Sequence, residues 1–397
     1  MIIQAAQRLD NIQEYYFSRK NKELAALNAS RKDQGLEAVI NLGVGAPDMM
    51  PPATAIEALV EESQRCDVHK YQSYRGIPEL REAFARWYSQ WYSVQLDPTT
   101  QIQPLAGSKE GILLLCMAFL NAGDKVLVPD PGYPTYSSAA SLVQAEIIRY
   151  DILAENSFYP DFDALESMDL SGVKMMWVNY PNMPTGAPAS IQLYERLVDF
   201  GQRHGILICN DNPYSFVLND KPLSIMSVPG AFDSCVELNS LSKAHNMSGW
   251  RIGMVCASAE IIETVLKVKS QMDSGMFRPL QIAAVQALGQ DKEWYVHMNQ
   301  VYSERKEVAL RIMEKLGAEV HPGAQGLFVW GRLSGDNALI AGYRTHLGLG
   351  ERMSDFLLYE KGVFITPGMV FGHNGNDYIR ISLCADKTVL EKVLKML

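Results

Sequence analysis

Residues 234–253 read SCVELNSLSKAHNMSGWRIG: an apolar strand-like run, SCVELNS, that breaks directly into SLSK. Three further runs of this kind lie upstream, KVLVPD (125–130), VKMMWVNY (173–180) and ILICND (206–211), and they end in DPGYP, PNMPTG and NDNPY. Between about residues 76 and 275 such runs alternate with longer helical patterns, the order expected of an α/β fold with a mostly parallel sheet covered by helices. Ligands of open α/β sheets bind outside the carboxyl ends of the strands, so four polar strand ends point to one shared site. An ordinary loop accounts for any one of them and poorly for all four.

Outward from these strands, Gly76 and Pro78 open a helix through ELREAFARWYSQWY. Ser108 opens another through KEGILLLCMAFLNAG, with Gly123 as its C-terminal stop. After Pro279 a helical stretch runs through IAAVQALGQ to RIMEKLGA, followed by GLFVWGRL, a helical ERMSDFLLYEKG, VFITPG and DYIRISLC. The expected division is an N-terminal arm over residues 1–15, a large domain over 47–278, and a smaller α+β domain over 279–397 joined by residues 16–46. No internal repeat or low-complexity segment is visible.

Composition narrows the function. The chain has 397 residues, enough for a large core and a second domain, and its net charge of -9 argues against nucleic-acid phosphates as partners. Its six cysteines show no CxxC spacing; several sit inside apolar runs and read as buried thiols, which points to a reducing cytoplasm. The seven histidines lack HExxH or another ligand spacing, so no metal is expected. The start, MIIQAAQRLDNIQEYY, lacks the basic and apolar regions of a signal peptide, and no apolar run approaches a membrane span.

The strand ends also read as chemistry. Lys243 follows Ser240 and Ser242 and stands eight residues before Arg251. A surface lysine needs no such neighbours, whereas a lysine that forms an imine with an aldehyde cofactor must lose its proton near neutral pH, which burial or adjacent positive charge favours. The serines and Arg251 would supply donors to a phosphate. Asp211 ends an apolar strand and needs a structural partner or a charged ligand, such as a protonated pyridine nitrogen. Tyr214 would reach that ring's phenolic oxygen, or is an ordinary loop tyrosine. Tyr133, between Gly132 and Pro134, is placed to lie on a planar cofactor, or is core.

PNMPTG is a turn with a possible cis bond before Pro184, and Asn182 within it is a second candidate for the phenolic oxygen. Gly107 and Ser108 open a helix whose free amides suit a phosphate, with a plain N-cap as the alternative for Ser108. Arg380 is the polar residue of a strand pattern, either exposed or a fork for a substrate carboxylate. GVGAPD (43–48) is a glycine-rich turn without the third glycine of a dinucleotide fingerprint.

With these motifs in hand, the chain resembles the class I/II aminotransferases, fold-type I enzymes that use pyridoxal 5'-phosphate. The resemblance runs from GVGAPD to YIRISLC and is carried by SxSK with GWRIG, PNMPTG, NDNPY and YQSYRGIPELREA. It implies that Lys243 bonds the cofactor and shuttles the α-proton, that Asp211 pairs with the pyridine nitrogen, and that Tyr214 and Asn182 contact the ring oxygen. It further implies that Tyr133 stacks, that Gly107, Ser108, Ser240, Ser242 and Arg251 hold the phosphate, and that Arg380 binds the substrate α-carboxylate beside Gly45. Tyr71 matches a tyrosine that reaches the phosphate of a neighbouring subunit, which implies a homodimer.

One departure stands out: the family's asparagine before the proline of PTG is replaced by Met183, and Asn182 lies one residue early. Lys109, grouped with the phosphate residues, also matches a position that in some branches holds a distal carboxylate, and is equally a solvated lysine. MDSGMFRPLQIAAVQAL resembles branches acting on alanine or diaminopimelate. The implied substrates are therefore an amino acid of the aspartate/glutamate, diaminopimelate or alanine type and a 2-oxo acid. The rivals are a carbon–sulfur lyase or aminocyclopropane-type synthase with the same cofactor residues, and a cofactor-binding regulator, for which the first 40 residues offer no basic helix-turn-helix pattern.

Overall fold

The computed structural model describes residues 3–10 and 12–397. The arm expected over residues 1–15 includes residues 1, 2 and 11, which lie outside the described residues. In chain order the strands are β1 (Ile40–Asn41), β2 (Ile102–Leu105), β3 (Lys125–Asp130), β4 (Glu146–Asp151), β5 (Val173–Val178), β6 (Leu207–Asp211) and β7 (Cys235–Ser240). They continue as β8 (Gly253–Cys256), β9 (Ala318–Val320), β10 (Phe328–Leu333), β11 (Val363–Phe364), β12 (Thr366–Pro367) and β13 (Tyr378–Ser382).

Among the described residues the large sheet has seven strands in the order β2-β8-β7-β6-β5-β3-β4. Neighbours are parallel except at β8, which runs antiparallel to both β2 and β7. The continuous apolar runs follow from burial on both faces. Along β5, Met175 and Trp177 enter one core and Met176 and Val178 the other, and each buried side chain of this size contributes about 1.5–3 kcal/mol. Because β3, β5, β6 and β7 run parallel, their carboxyl ends lie at one edge.

A second sheet, antiparallel in the order β12-β13-β10-β9, lies over that edge. The helix Lys292–Lys315 packs on β9 and β10. Helix Tyr16–Asp33 sets Leu24 against Leu358 and Phe364, and β1 pairs parallel with β11, which ties the chain's early residues to its last third. Helix Arg278–Leu288 packs instead on helices Ala53–Ser63 and Pro78–Tyr92, and the Gln281 side chain accepts the Ile77 N–H at 2.8 Å.

Several boundaries differ from the sequence reading; the helical stretch after Pro279 is two helices, Arg278–Leu288 and Lys292–Lys315, broken at Gly289. The helix opened by Ser108 ends at Phe119, because Leu120 is already extended (φ -118, ψ 136); Gly123 serves the turn before β3 with φ +86. β5 ends at Val178, since Asn179 leaves the ladder and donates its side-chain amide to the Asp211 carbonyl. The peptide before Pro184 is cis, as are those before Pro131 and Pro181. Among the described residues no helix is long and apolar enough to cross a membrane, and no cluster of side chains suits a metal ion.

Candidate active site

The strand ends and the second sheet enclose a cavity of about 330 Å³. Lys243 enters it from the single turn Leu241–Ala244 that follows β7. Its Nζ donates to the Gly45 carbonyl at 2.6 Å and lies 6.0 Å from the centre of the Tyr214 ring, with no carboxylate in salt-bridge range among the described residues. Burial lowers its pKa, and the nearby positive charges of Arg380 and Arg251 lower it further.

Asp211 faces it from the end of β6. One carboxylate oxygen, Oδ2, accepts the Tyr136 hydroxyl at 3.0 Å; the other, Oδ1, is buried and has no partner. Burial pushes this carboxyl up to about 7 against the hydrogen bond from Tyr136 and the charge of Lys243. A buried acceptor without a donor is costly, so Oδ1 is shaped for a donor that arrives with a ligand, and a cationic one would restore the carboxylate. Tyr136 is a site residue that the sequence reading missed. Its ring stacks on Trp177 at 4.9 Å and 3°, and its signal was the second tyrosine of DPGYPTY, one helical turn past Tyr133.

On another wall the helix Ser108–Phe119 points its N-terminal amides at the cavity beside Ser240, Ser242 and Arg251. The Ser240 hydroxyl donates to Ser242 Oγ at 2.8 Å, and Arg251 Nη1 reaches Ser242 Oγ at 3.4 Å and the Ser248 carbonyl at 3.0 Å. Arg251 adopts a left-handed backbone (φ 56), which costs roughly 1–2 kcal/mol for a residue with a Cβ. Gly107 (φ +81) leaves space for that guanidinium, where a Cβ would overlap it. Free amides, hydroxyls and an arginine without a carboxylate partner make an anion cradle of phosphate character.

Arg380 comes from β13, where alternation sends Ile379 and Ile381 to the core and Arg380 to the cavity. It is 3% exposed, and its guanidinium lies 3.8 Å from the Phe328 ring centre and 4.6 Å from that of Phe371. Its hydrogen-bond partners are neutral: Nη2 donates to the Gly43 carbonyl at 2.8 Å and to Thr366 Oγ1 at 3.4 Å, and Nη1 to Met183 Sδ at 3.3 Å, while Nε has none. Burial lowers its pKa to about 10, which leaves it charged at neutral pH. A buried, aromatic-flanked cation without a counter-ion is a receptor for a small anion.

Of the other expected residues, Tyr133, Tyr214, Gly45 and Lys109 line the cavity. The Lys109 ammonium sits 4.5 Å from the Tyr15 ring centre, and Tyr15, Phe17 and Asn21 close the mouth. Asn182 does not line the cavity. Its side chain is consumed in the turn, where Oδ1 accepts from Thr185 N–H and hydroxyl and Nδ2 donates to the Asn179 carbonyl. Of the asparagines in and beside this turn it is Asn179, four residues before Met183, that lines the cavity, and Met183 itself is part of the wall. Tyr71 is 91% exposed and lies outside this cavity.

Known proteins share the sequence pattern and the fold. The family model for aminotransferase class I and II matches residues 37–397. The LL-diaminopimelate aminotransferase of Aquifex aeolicus is 38% identical over 378 residues, covering 95% of this chain and 94% of the relative. That of Oleidesulfovibrio alaskensis is 37% identical, covering 98% and 97%. Among solved structures, substrate-bound BacF from Bacillus subtilis superposes with a TM-score of 0.89 at 32% identity, covering 99% of this chain and 97% of that one. Matched over nearly its full length in sequence and in fold, the chain belongs to the class I and II aminotransferases, enzymes that move an amino group from an amino acid to a 2-oxo acid.

Proposed function

We propose that the cavity binds pyridoxal 5'-phosphate at Lys243 and that the amino donor carries a second carboxylate, as diaminopimelate does. The observation that carries this reading is the convergence of unmatched polar groups on one space: an amine held only by a carbonyl, an Asp211 oxygen without a donor, and a buried arginine without an anion. Each has the sign and chemistry of one part of that cofactor or of an amino acid. The names of the relatives from Aquifex and Oleidesulfovibrio support the diaminopimelate type.

When bound, the cofactor supplies an aldehyde for the amino group and a pyridinium ring that takes up the electrons left on the α-carbon. Asp211 Oδ1 holds the proton on the ring nitrogen, and Tyr136 orients Asp211. Tyr133 would lie against the ring, and Tyr214 would offer its hydroxyl to the ring oxygen; Met183 has no donor to add there. Gly107, Ser108, Ser240, Ser242 and Arg251 hold the phosphate. Arg380 binds the α-carboxylate, and Phe17, Phe328 and Phe371 exclude water from it. Lys243, whose burial favours the neutral amine, would take the proton from the α-carbon and give it back on the far side of the amino nitrogen.

Lys109, at the mouth beside Tyr15, is placed for the distal carboxylate. The exposed Tyr71 suits the phosphate of a second subunit, so the working unit is a homodimer, and the free cysteines accord with a reducing cytoplasm. A panel of amino acids assayed with 2-oxoglutarate and pyruvate tests the substrate class. Diaminopimelate, aspartate or glutamate should exceed monocarboxylic donors in kcat/KM, and Lys109→Ala should lower that preference up to about fivefold, the order expected for one partly exposed charge pair. A preference for alanine that Lys109→Ala leaves untouched would refute it.

A further inference from the structure

Asp130 closes β3, three residues before Tyr133, and the roles above do not use it. It is 3% exposed, yet no basic side chain is within salt-bridge distance among the described residues. Its carboxylate instead takes two backbone donors from the segment before β13: Oδ2 accepts His373 N–H and Oδ1 accepts Asn374 N–H, each at 3.0 Å. The Asn374 side-chain amide reaches back to the Asp130 carbonyl at 3.2 Å and to the Asp151 carboxylate at 2.7 Å. Gly132 N–H donates to the Phe371 carbonyl at 2.7 Å.

These bonds tie the segment 371–374 of the four-stranded unit to the edge of the seven-stranded sheet. Gly372 (φ +141) permits the approach, since a Cβ there would overlap the Asp130 carboxylate. Both ends of the tie belong to the active site. Tyr133 lines the cavity on one side, and on the other the Phe371 ring forms one wall of the Arg380 sandwich.

We infer that Asp130 is a positioning residue for the substrate carboxylate: by holding His373 and Asn374 it fixes Phe371 against Arg380 and keeps that guanidinium aimed into the cavity. A guanidinium needs defined geometry to accept a carboxylate with two parallel bonds, and a mobile aromatic wall forfeits that geometry and admits water. The inference rests on the proposed pairing of Arg380 with the α-carboxylate. Asp130 touches neither ring nor phosphate positions, so its loss should leave cofactor binding intact.

The test is steady-state kinetics of the holoenzyme with the best amino donor. Asp130→Asn keeps the size but turns an amide toward a backbone donor. KM for the donor should rise about tenfold, the scale of one lost charge-assisted hydrogen bond, with cofactor content and visible spectrum unchanged. In a Phe371→Leu background the same change should add little, because the effect runs through Phe371. Gly372→Ala, which crowds the carboxylate from the opposite side, should reproduce the rise and carries the test if Asp130→Asn does not fold. Arg380→Ala separates the two readings: an unchanged KM there refutes the carboxylate role of Arg380. A raised KM in Arg380→Ala, with Asp130→Asn and Gly372→Ala both silent, overturns only the inference. It is also overturned if the effects of Asp130→Asn and Phe371→Leu multiply, or if Asp130→Asn loses cofactor in step with KM.

Discussion

At the scale of single residues, burial moves the two principal groups in opposite directions. It lowers the Lys243 amine and raises the Asp211 carboxyl to about 7, so each is drawn toward its neutral form. The second shift has a consequence for the cofactor-free protein. A carboxyl whose folded pKa exceeds its unfolded value of 3.8 stabilises the fold below that value, and the contribution is lost as pH rises through about 7. Thermal melts of the apo protein should therefore fall in Tm relative to Asp211→Asn as pH rises from about 4 to about 7, and the difference should shrink in the holoenzyme, where a cation faces Oδ1. Parallel pH profiles for the two apo proteins would show that Asp211 is not held this way. The motif reading reached Lys243, Asp211, Tyr214 and Arg380 because each sits at a strand end or in a strand of strict alternation. It could not separate Asn182 from Asn179, since that depends on which side chain the turn consumes through Thr185.

At the scale of elements, the anion cradle depends on how closely a helix terminus and a strand end approach. Gly107→Ala should crowd Arg251 and strain a φ of +81, weakening cofactor binding at least tenfold by fluorescence titration while the far-ultraviolet circular dichroism stays native. Unchanged affinity would mean that Arg251 can move aside and that the cradle is not fixed by this contact. The strands of the large sheet were legible because burial on both faces makes each an uninterrupted apolar run. Less legible were β1 and β11, two residues each, whose pairing joins Ile40 to Val363. So short a strand has no period of its own, and only tertiary contact creates it. The overlong reading of the helix from Ser108 has a similar origin: MAFLNAG keeps an apolar pattern past Phe119, but Leu120 is drawn out of the helix on the way to β3.

At the scale of the whole molecule, the site is a junction of parts that no single segment supplies: four ends of one sheet, an arginine from another, and a mouth closed by Tyr15 and Phe17. Tyr71 stands outside that cavity with Tyr74, Met272 and Phe277 among the exposed large apolar side chains, a combination suited to a second copy. Light scattering should give twice the chain mass, and Tyr71→Phe should weaken cofactor binding about tenfold without dissociating the dimer, through one lost bond to the phosphate. A monomer that retains full activity would remove Tyr71 from the site. The central claim, amino transfer at Lys243, is tested most directly by adding diaminopimelate alone to the holoenzyme and following its visible spectrum. The account predicts one 2-oxo acid product per active site, a stop, and recovery of the starting spectrum on adding 2-oxoglutarate, with none of this in Lys243→Ala. Continuous turnover with ammonia release from the amino acid alone, or an unimpaired cycle in Lys243→Ala, would contradict it.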